Sequence, residues 1–149
     1  MKTSLNGLNL IKQFEGIKTS PYLDCGGLWT IGVGHLIGDG HSLPNEWNRV
    51  LTIDECLALL ARDVARFERG IERYISVRLT QNQFDSLVCF AFNLGLGTLQ
   101  RSSVRQKINR GDMAGAAKSL QKYNKVSGKA EKGLTARRNA EAALFMKAS

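Results

Sequence analysis

Leu8, Ile11 and Phe14 recur at three-residue steps and predict an opening amphipathic helix from Ser4 to Glu15, stopped by Gly16. The rhythm then shortens. Tyr22-Leu23-Asp24, the turn residues Cys25-Gly26-Gly27 and the run from Leu28 to Gly34 predict a β-hairpin. Asp39-Gly40 marks a second turn, and Pro44 to Arg49 reads as a loop or short helical turn. At Thr52 the period changes again. Thr52-Ile53-Asp54-Glu55 is a capping box, and Ile53, Cys56, Leu57, Leu60, Val64, Phe67 and Ile71 follow at helical spacing, predicting one long helix over about 53–74. Thr80-Gln81-Asn82-Gln83 opens a second helix through Phe84, Leu87, Val88, Phe90 and Ala91, ending near Gly95 and Gly97. Shorter helices are expected at Ser102–Asn109, Met113–Lys122 and Thr135–Met146, with Lys125 to Gly133 as a polar loop. The predicted fold class is α+β and mainly helical, one domain over 1–149. A small β-containing lobe (about 16–52) and a helical lobe (about 75–149 plus the first helix) are joined by the long helix. Two lobes so joined leave a cleft suited to a polymer.

Composition adds little to this picture, but charge and cysteine usage narrow it. With 21 Lys and Arg against 13 Asp and Glu, the net charge of +8 favours anionic partners without choosing among nucleic acid, lipid and cell wall. No zinc-finger spacing, aromatic sheet motif or recognition-helix pattern supports nucleic acid. Cys25, Cys56 and Cys89 form neither a zinc pattern nor a redox pair, and the odd count fits plain thiols. Cys56 and Cys89 fall on apolar helical faces. No apolar run reaches transmembrane length, and the N-terminus lacks the charged-then-apolar order of a signal peptide.

Two acidic residues invite a glycosidase reading. Such enzymes flank the scissile bond with a carboxylic acid and a carboxylate, the first donating a proton and the second activating water or attacking the sugar. The donor belongs in a poorly solvated place, and Glu15 ends a helix packed on the core. Asp24 lies where a strand turns and water can reach, and Thr30 returns on the next strand. By residue type alone, a Glu at a helix end and an Asp beside a turn are equally well solvated or capping residues.

Spacing separates these readings. Glu15, eight residues, Asp24, five residues and Thr30, with Phe14-Glu15-Gly16, Tyr22 and Trp29-Thr30-Ile31-Gly32-Val33-Gly34-His35, resemble the catalytic signature of phage-type lysozymes, glycoside hydrolase family 24. Phe92-Asn93-Leu94-Gly95 and the Arg137, Arg138, Glu141 segment resemble later parts of the same family. The resemblance implies Glu15 as general acid, Asp24 as the group that orients or deprotonates water, and Thr30 as a hydrogen-bond partner of that water. It implies hydrolysis with inversion, substrate contacts from Asn93 and Gly95, and no metal or cofactor. His35 alone could be a base or ligand, but the resemblance pairs it with Asp63 as a structural ion pair. Arg137 and Arg138 are either a solvated face or include one that reaches the cleft, with Arg138 favoured. Trp29 packs beneath the hairpin or stacks on a pyranose.

The implied partner is the peptidoglycan glycan strand. An anionic outer-membrane or wall surface is an accessory target for the basic C-terminal half, and neither nucleic acid nor a stable protein partner is expected. The implied protein is a monomeric endolysin that waits in the host cytoplasm for a holin lesion and then acts at the wall. The alternative is an inactive cationic wall- or membrane-binding module on the same fold.

Overall fold

A computed structural model describes all 149 residues and shows an α+β, mainly helical chain that divides into two compact units, Leu8–Val64 and Met1–Gly7 with Ala65–Ser149. Helix α1 (Leu5–Glu15) starts in the second unit and continues into the first.

In the small unit, β1 (Lys18–Leu23), β2 (Trp29–Gly32) and β3 (His35–Leu36) form an antiparallel sheet in the order β1-β2-β3. The hairpin starts earlier than its sequence suggests, because Pro21 is tolerated on an edge strand. The third strand is too short to carry a hydrophobic pattern. A 3₁₀ turn (Asn45–Trp47) leads to α2 (Ile53–Asp63), which opens on the reciprocal Thr52–Glu55 capping box. Ile31, Ile37, Leu51 and Cys56 are the unit's buried core, with Ile17, Trp29, Leu43, Trp47 and Leu59 packed against it.

The expected long helix is two helices. α2 ends at Asp63, and α3 (Ala65–Tyr74) resumes beyond Val64, whose N–H is shared between the carbonyls of Leu60 and Arg62. This tight step breaks the ladder, yet Leu60, Val64 and Phe67 are all buried, so the apolar spacing runs across it without a mark.

The helical unit is built around α4 (Gln81–Leu94), in which Phe84, Leu87, Val88, Cys89, Phe90 and Ala91 are all buried. α5 (Leu96–Arg101), α6 (Ser103–Asn109), α7 (Met113–Lys122) and α8 (Lys132–Met146) complete it, with α8 packed against both α4 and α7. The start of α1 is fixed here too: the buried Asp85 carboxylate accepts from the Ser4 amide at 3.0 Å and from the Ser4 hydroxyl. A Cβ on Gly7 would come within 2.8 Å of the Asp85 Cγ, so that close approach requires glycine.

The expected loop at Lys125–Gly133 instead holds a small hairpin, β4 (Lys125–Val126) and β5 (Lys129–Ala130). Ser127 (φ 51°) and Gly128 (φ 79°) make the turn, both with the positive φ that two-residue hairpins demand. α8 starts three residues earlier than expected because the Glu131 carboxylate accepts from the amides of Gly133 (2.9 Å) and Leu134 (2.7 Å).

Candidate active site

Glu15 is the last residue of α1. The chain turns away at Gly16 (φ 79°), whose amide still donates to the Lys12 carbonyl at 2.8 Å. The residue is exposed, against the poorly solvated setting expected of a proton donor.

Asp24 and Thr30 are joined through one backbone. Asp24 follows the last residue of β1 and opens the turn to β2. Its Oδ1 accepts from the amides of Gly26 (2.9 Å) and Leu28 (2.8 Å), and its own amide donates to the Leu28 carbonyl at 2.9 Å. That same carbonyl receives the Thr30 hydroxyl at 2.9 Å. Leu28 thus ties the carboxylate and the hydroxyl into one rigid loop. Gly27 (φ 77°) supplies the backbone conformation this tight turn needs, and its amide donates to the Asp24 carbonyl at 2.9 Å. Asp24 is half-buried and Thr30 is 2% exposed.

This arrangement has chemical consequences. Two backbone donors hold Oδ1, so the carboxylate is oriented with Oδ2 left for solvent. The Thr30 proton is committed to Leu28, so toward a water molecule this hydroxyl acts as an acceptor.

Tyr22 belongs to the same neighbourhood. It is the cross-strand partner of Thr30, so the two side chains leave the sheet on one face. Burial and the negative charges of Asp24, Glu15 and Cys25 push its phenol above the ordinary tyrosine range. Cys25 is an exposed free thiol, whereas Cys56 and Cys89 are buried.

His35 on β3 and Asp63 at the end of α2 come together, with Nδ1 2.8 Å from Oδ2 and the Trp47 ring tilted against the imidazole at 5.4 Å. The pair fastens the sheet to α2.

In the helical unit, Arg138 is fully buried rather than presented on a surface. Its Nε lies 2.7 Å from Glu141 Oε1, and Nη2 donates to Glu141 Oε2 (3.1 Å) and to Asn93 Oδ1 (2.7 Å). Burial pushes the Arg138 guanidinium down and the Glu141 carboxyl up from their ordinary values, each opposed by the partner's charge. Asn93 is half-buried, its carbonyl oxygen held by this guanidinium. Gly95 (φ 93°, ψ 155°) closes α4 with its amide on the Ala91 carbonyl at 2.7 Å, a conformation open only to glycine. Sequence reasoning missed the Leu28 clamp, although Asp24 ahead of Cys25-Gly26-Gly27 is a recognisable side-chain-to-backbone turn signal.

A sequence model of the phage lysozyme family matches residues 12–141. The chain is 40% identical over 148 residues to an endolysin of Bacillus phage B103, covering 98% of this chain and 54% of that protein. It therefore spans about half the length of that relative. It is 37% identical over 153 residues to an endolysin of Acyrthosiphon pisum secondary endosymbiont phage 1, covering 97% and 98% of the two chains. Among solved structures, a lysozyme variant of phage P22 superposes with a TM-score of 0.89 at 31% identity, covering 99% of each chain. The chain belongs to the phage lysozyme family.

Proposed function

We propose that this chain is an endolysin that hydrolyses the β-1,4 bond between N-acetylmuramic acid and N-acetylglucosamine in peptidoglycan. The observation that carries the reading is the Leu28 clamp, which fixes a carboxylate and a hydroxyl as two acceptors on one loop. A water placed between them donates one proton to Asp24 Oδ2 and the other to Thr30 Oγ1. Its lone pair is then directed away from both, toward the anomeric carbon.

Glu15 supplies the opposing half of the reaction. Its carboxylic proton passes to the glycosidic oxygen as the C–O bond breaks. The water oxygen bonds to the anomeric carbon and releases its proton to Asp24. Solvent then reprotonates Glu15 and deprotonates Asp24. Asn93 contacts the sugar through its amide, and Arg138 acts behind it by holding its oxygen. Gly95 presents the chain beside Asn93. His35 and Asp63 serve stability.

Charge distribution favours an accessory role. The small unit holds four Lys and Arg against seven Asp and Glu, whereas the helical unit holds 17 against six. All of the excess cation therefore lies on the helical unit, which draws the protein toward anionic wall or outer membrane. No helix is long and apolar enough to cross a membrane. Access to the wall through a holin lesion belongs to the same proposal.

Clearing of isolated peptidoglycan sacculi by the purified protein, followed as loss of turbidity, tests the reading. The wild type should clear rapidly and Glu15→Gln almost not at all. Equal clearing by both would remove Glu15 from the mechanism, and no clearing by either would leave a binding module on this fold.

A further inference from the structure

We infer that Tyr22, clamped by Lys18, is a further substrate-binding residue of this site, its hydroxyl donating to a sugar oxygen beside the scissile bond. The inference rests on the hydrolase reading above. It starts from an irregularity in β1. Lys18 pairs with Gly32 and Tyr22 with Thr30, so three residues of β1, Thr19 to Pro21, lie opposite the single Ile31 of β2. In a regular strand, Lys18 and Tyr22 would be separated by about 13 Å of backbone. The bulge shortens that span and folds Lys18 back over its neighbour, with Nζ 4.3 Å from the centre of the Tyr22 ring.

A bulge beside a candidate site re-aims a side chain, and here the result is specific. Tyr22 shares a sheet face with Thr30, and its phenol lies within the electric field of both Asp24 and Glu15. That field, with burial, keeps the group protonated and hence a donor. Its hydroxyl makes no hydrogen bond within the chain, while the neighbouring Thr30 proton and both Asp24-facing amides are already committed. On the Asp24–Thr30 loop the carboxylate and the Thr30 hydroxyl both act as acceptors toward solvent, and the Tyr22 hydroxyl is a donor that complements them. A hexopyranose presents hydroxyl, ring and acetamido oxygens that need such a donor.

The Lys18 ammonium has a separate task. It sits over the electron-rich ring face, which holds the ring in one orientation at the cost of a single exposed cation. Lys18 is thus a positioning residue that acts through Tyr22.

Steady-state kinetics on sacculi, with thermal unfolding beside them, test both roles. Tyr22→Phe keeps the ring and the cation contact and removes only the hydroxyl. It should raise KM about tenfold, the loss expected for one hydrogen bond, with kcat within about twofold and the melting temperature unchanged. Lys18→Met should lower kcat/KM about threefold in the native background and not at all in a Tyr22→Leu background; Lys18→Arg should restore it. Unchanged KM in Tyr22→Phe overturns the substrate contact. An equal effect of Lys18→Met in both backgrounds overturns the clamp. The Glu15→Gln control separates failures: if that variant clears sacculi normally, the hydrolase reading fails and this inference with it. If it is dead while Tyr22→Phe is unaffected, only this inference fails.

Discussion

Replacing Thr30 by valine exchanges one hydroxyl for a methyl of nearly the same size at a position only 2% exposed. Two quantities should change by very different amounts. In the folded protein the Thr30 hydroxyl makes one hydrogen bond, to the Leu28 carbonyl at 2.9 Å. Its loss does not orphan that carbonyl, which still accepts from the Asp24 amide at 2.9 Å. The stability cost is therefore that of one ordinary hydrogen bond, about 1 kcal/mol. For a chain of this size, that lowers the melting temperature by about 2–4 °C. Catalysis should suffer much more. Valine offers the water no acceptor, so one of its two protons is unconstrained and the lone pair is no longer aimed. A loss on the order of a hundredfold in kcat is expected, with KM unchanged, because misplacement of a reacting group by about 1 Å has that effect. Thr30→Ser keeps the hydroxyl and should retain activity within several-fold, at a stability cost of about 0.8 kcal/mol for the lost methyl. Turbidity clearing and thermal unfolding by circular dichroism read the two quantities on the same samples. Activity of Thr30→Val within twofold of the wild type would refute the acceptor role, as would equal inactivity of Thr30→Ser and Thr30→Val.

Two other outcomes follow from the buried and capping carboxylates. Glu141→Gln removes the counter-ion of the fully buried Arg138, and should cost about 3–5 kcal/mol, read as a drop of roughly 10 °C in the melting temperature. Asp39, Glu55 and Glu131 are held below the ordinary carboxylate range by backbone amides: those of His41, Thr52 and Gly133 contribute most to each. The unfolded chain takes up those protons more readily than the folded one. Stability should therefore be full above the ordinary carboxylate pKa and fall as pH drops through the lower folded values. A melting-temperature series from neutral to acid pH checks this, and Glu55→Gln should flatten part of the acid limb.

What the sequence revealed was local chemistry. The capping boxes at Thr52–Glu55 and Thr80–Gln83 were readable because each side chain finds its partner within four residues, and both are present as expected. The spacing of Glu15, Asp24 and Thr30 was readable for a similar reason, since all three lie on one short segment. Features set by distant partners were hidden. From sequence, Arg138 is either part of a solvated basic face or the arginine that reaches the cleft, and only the fold brings Asn93, 45 residues away in sequence, to its guanidinium. The break at Val64 leaves the hydrophobic period intact, so periodicity could not report it. The exposure of Glu15 depends on where the chain goes after Gly16, which the amphipathic pattern of α1 does not encode.

The central claim is that water, held by Asp24 and Thr30, attacks a sugar whose leaving oxygen Glu15 protonates. Digestion of sacculi in water labelled with heavy oxygen, followed by immediate reduction and mass spectrometry of the released fragments, tests it directly. The account predicts fragments ending in reducible N-acetylmuramic acid that carry one solvent oxygen. Fragments ending in anhydro-muramic acid without solvent oxygen would contradict it.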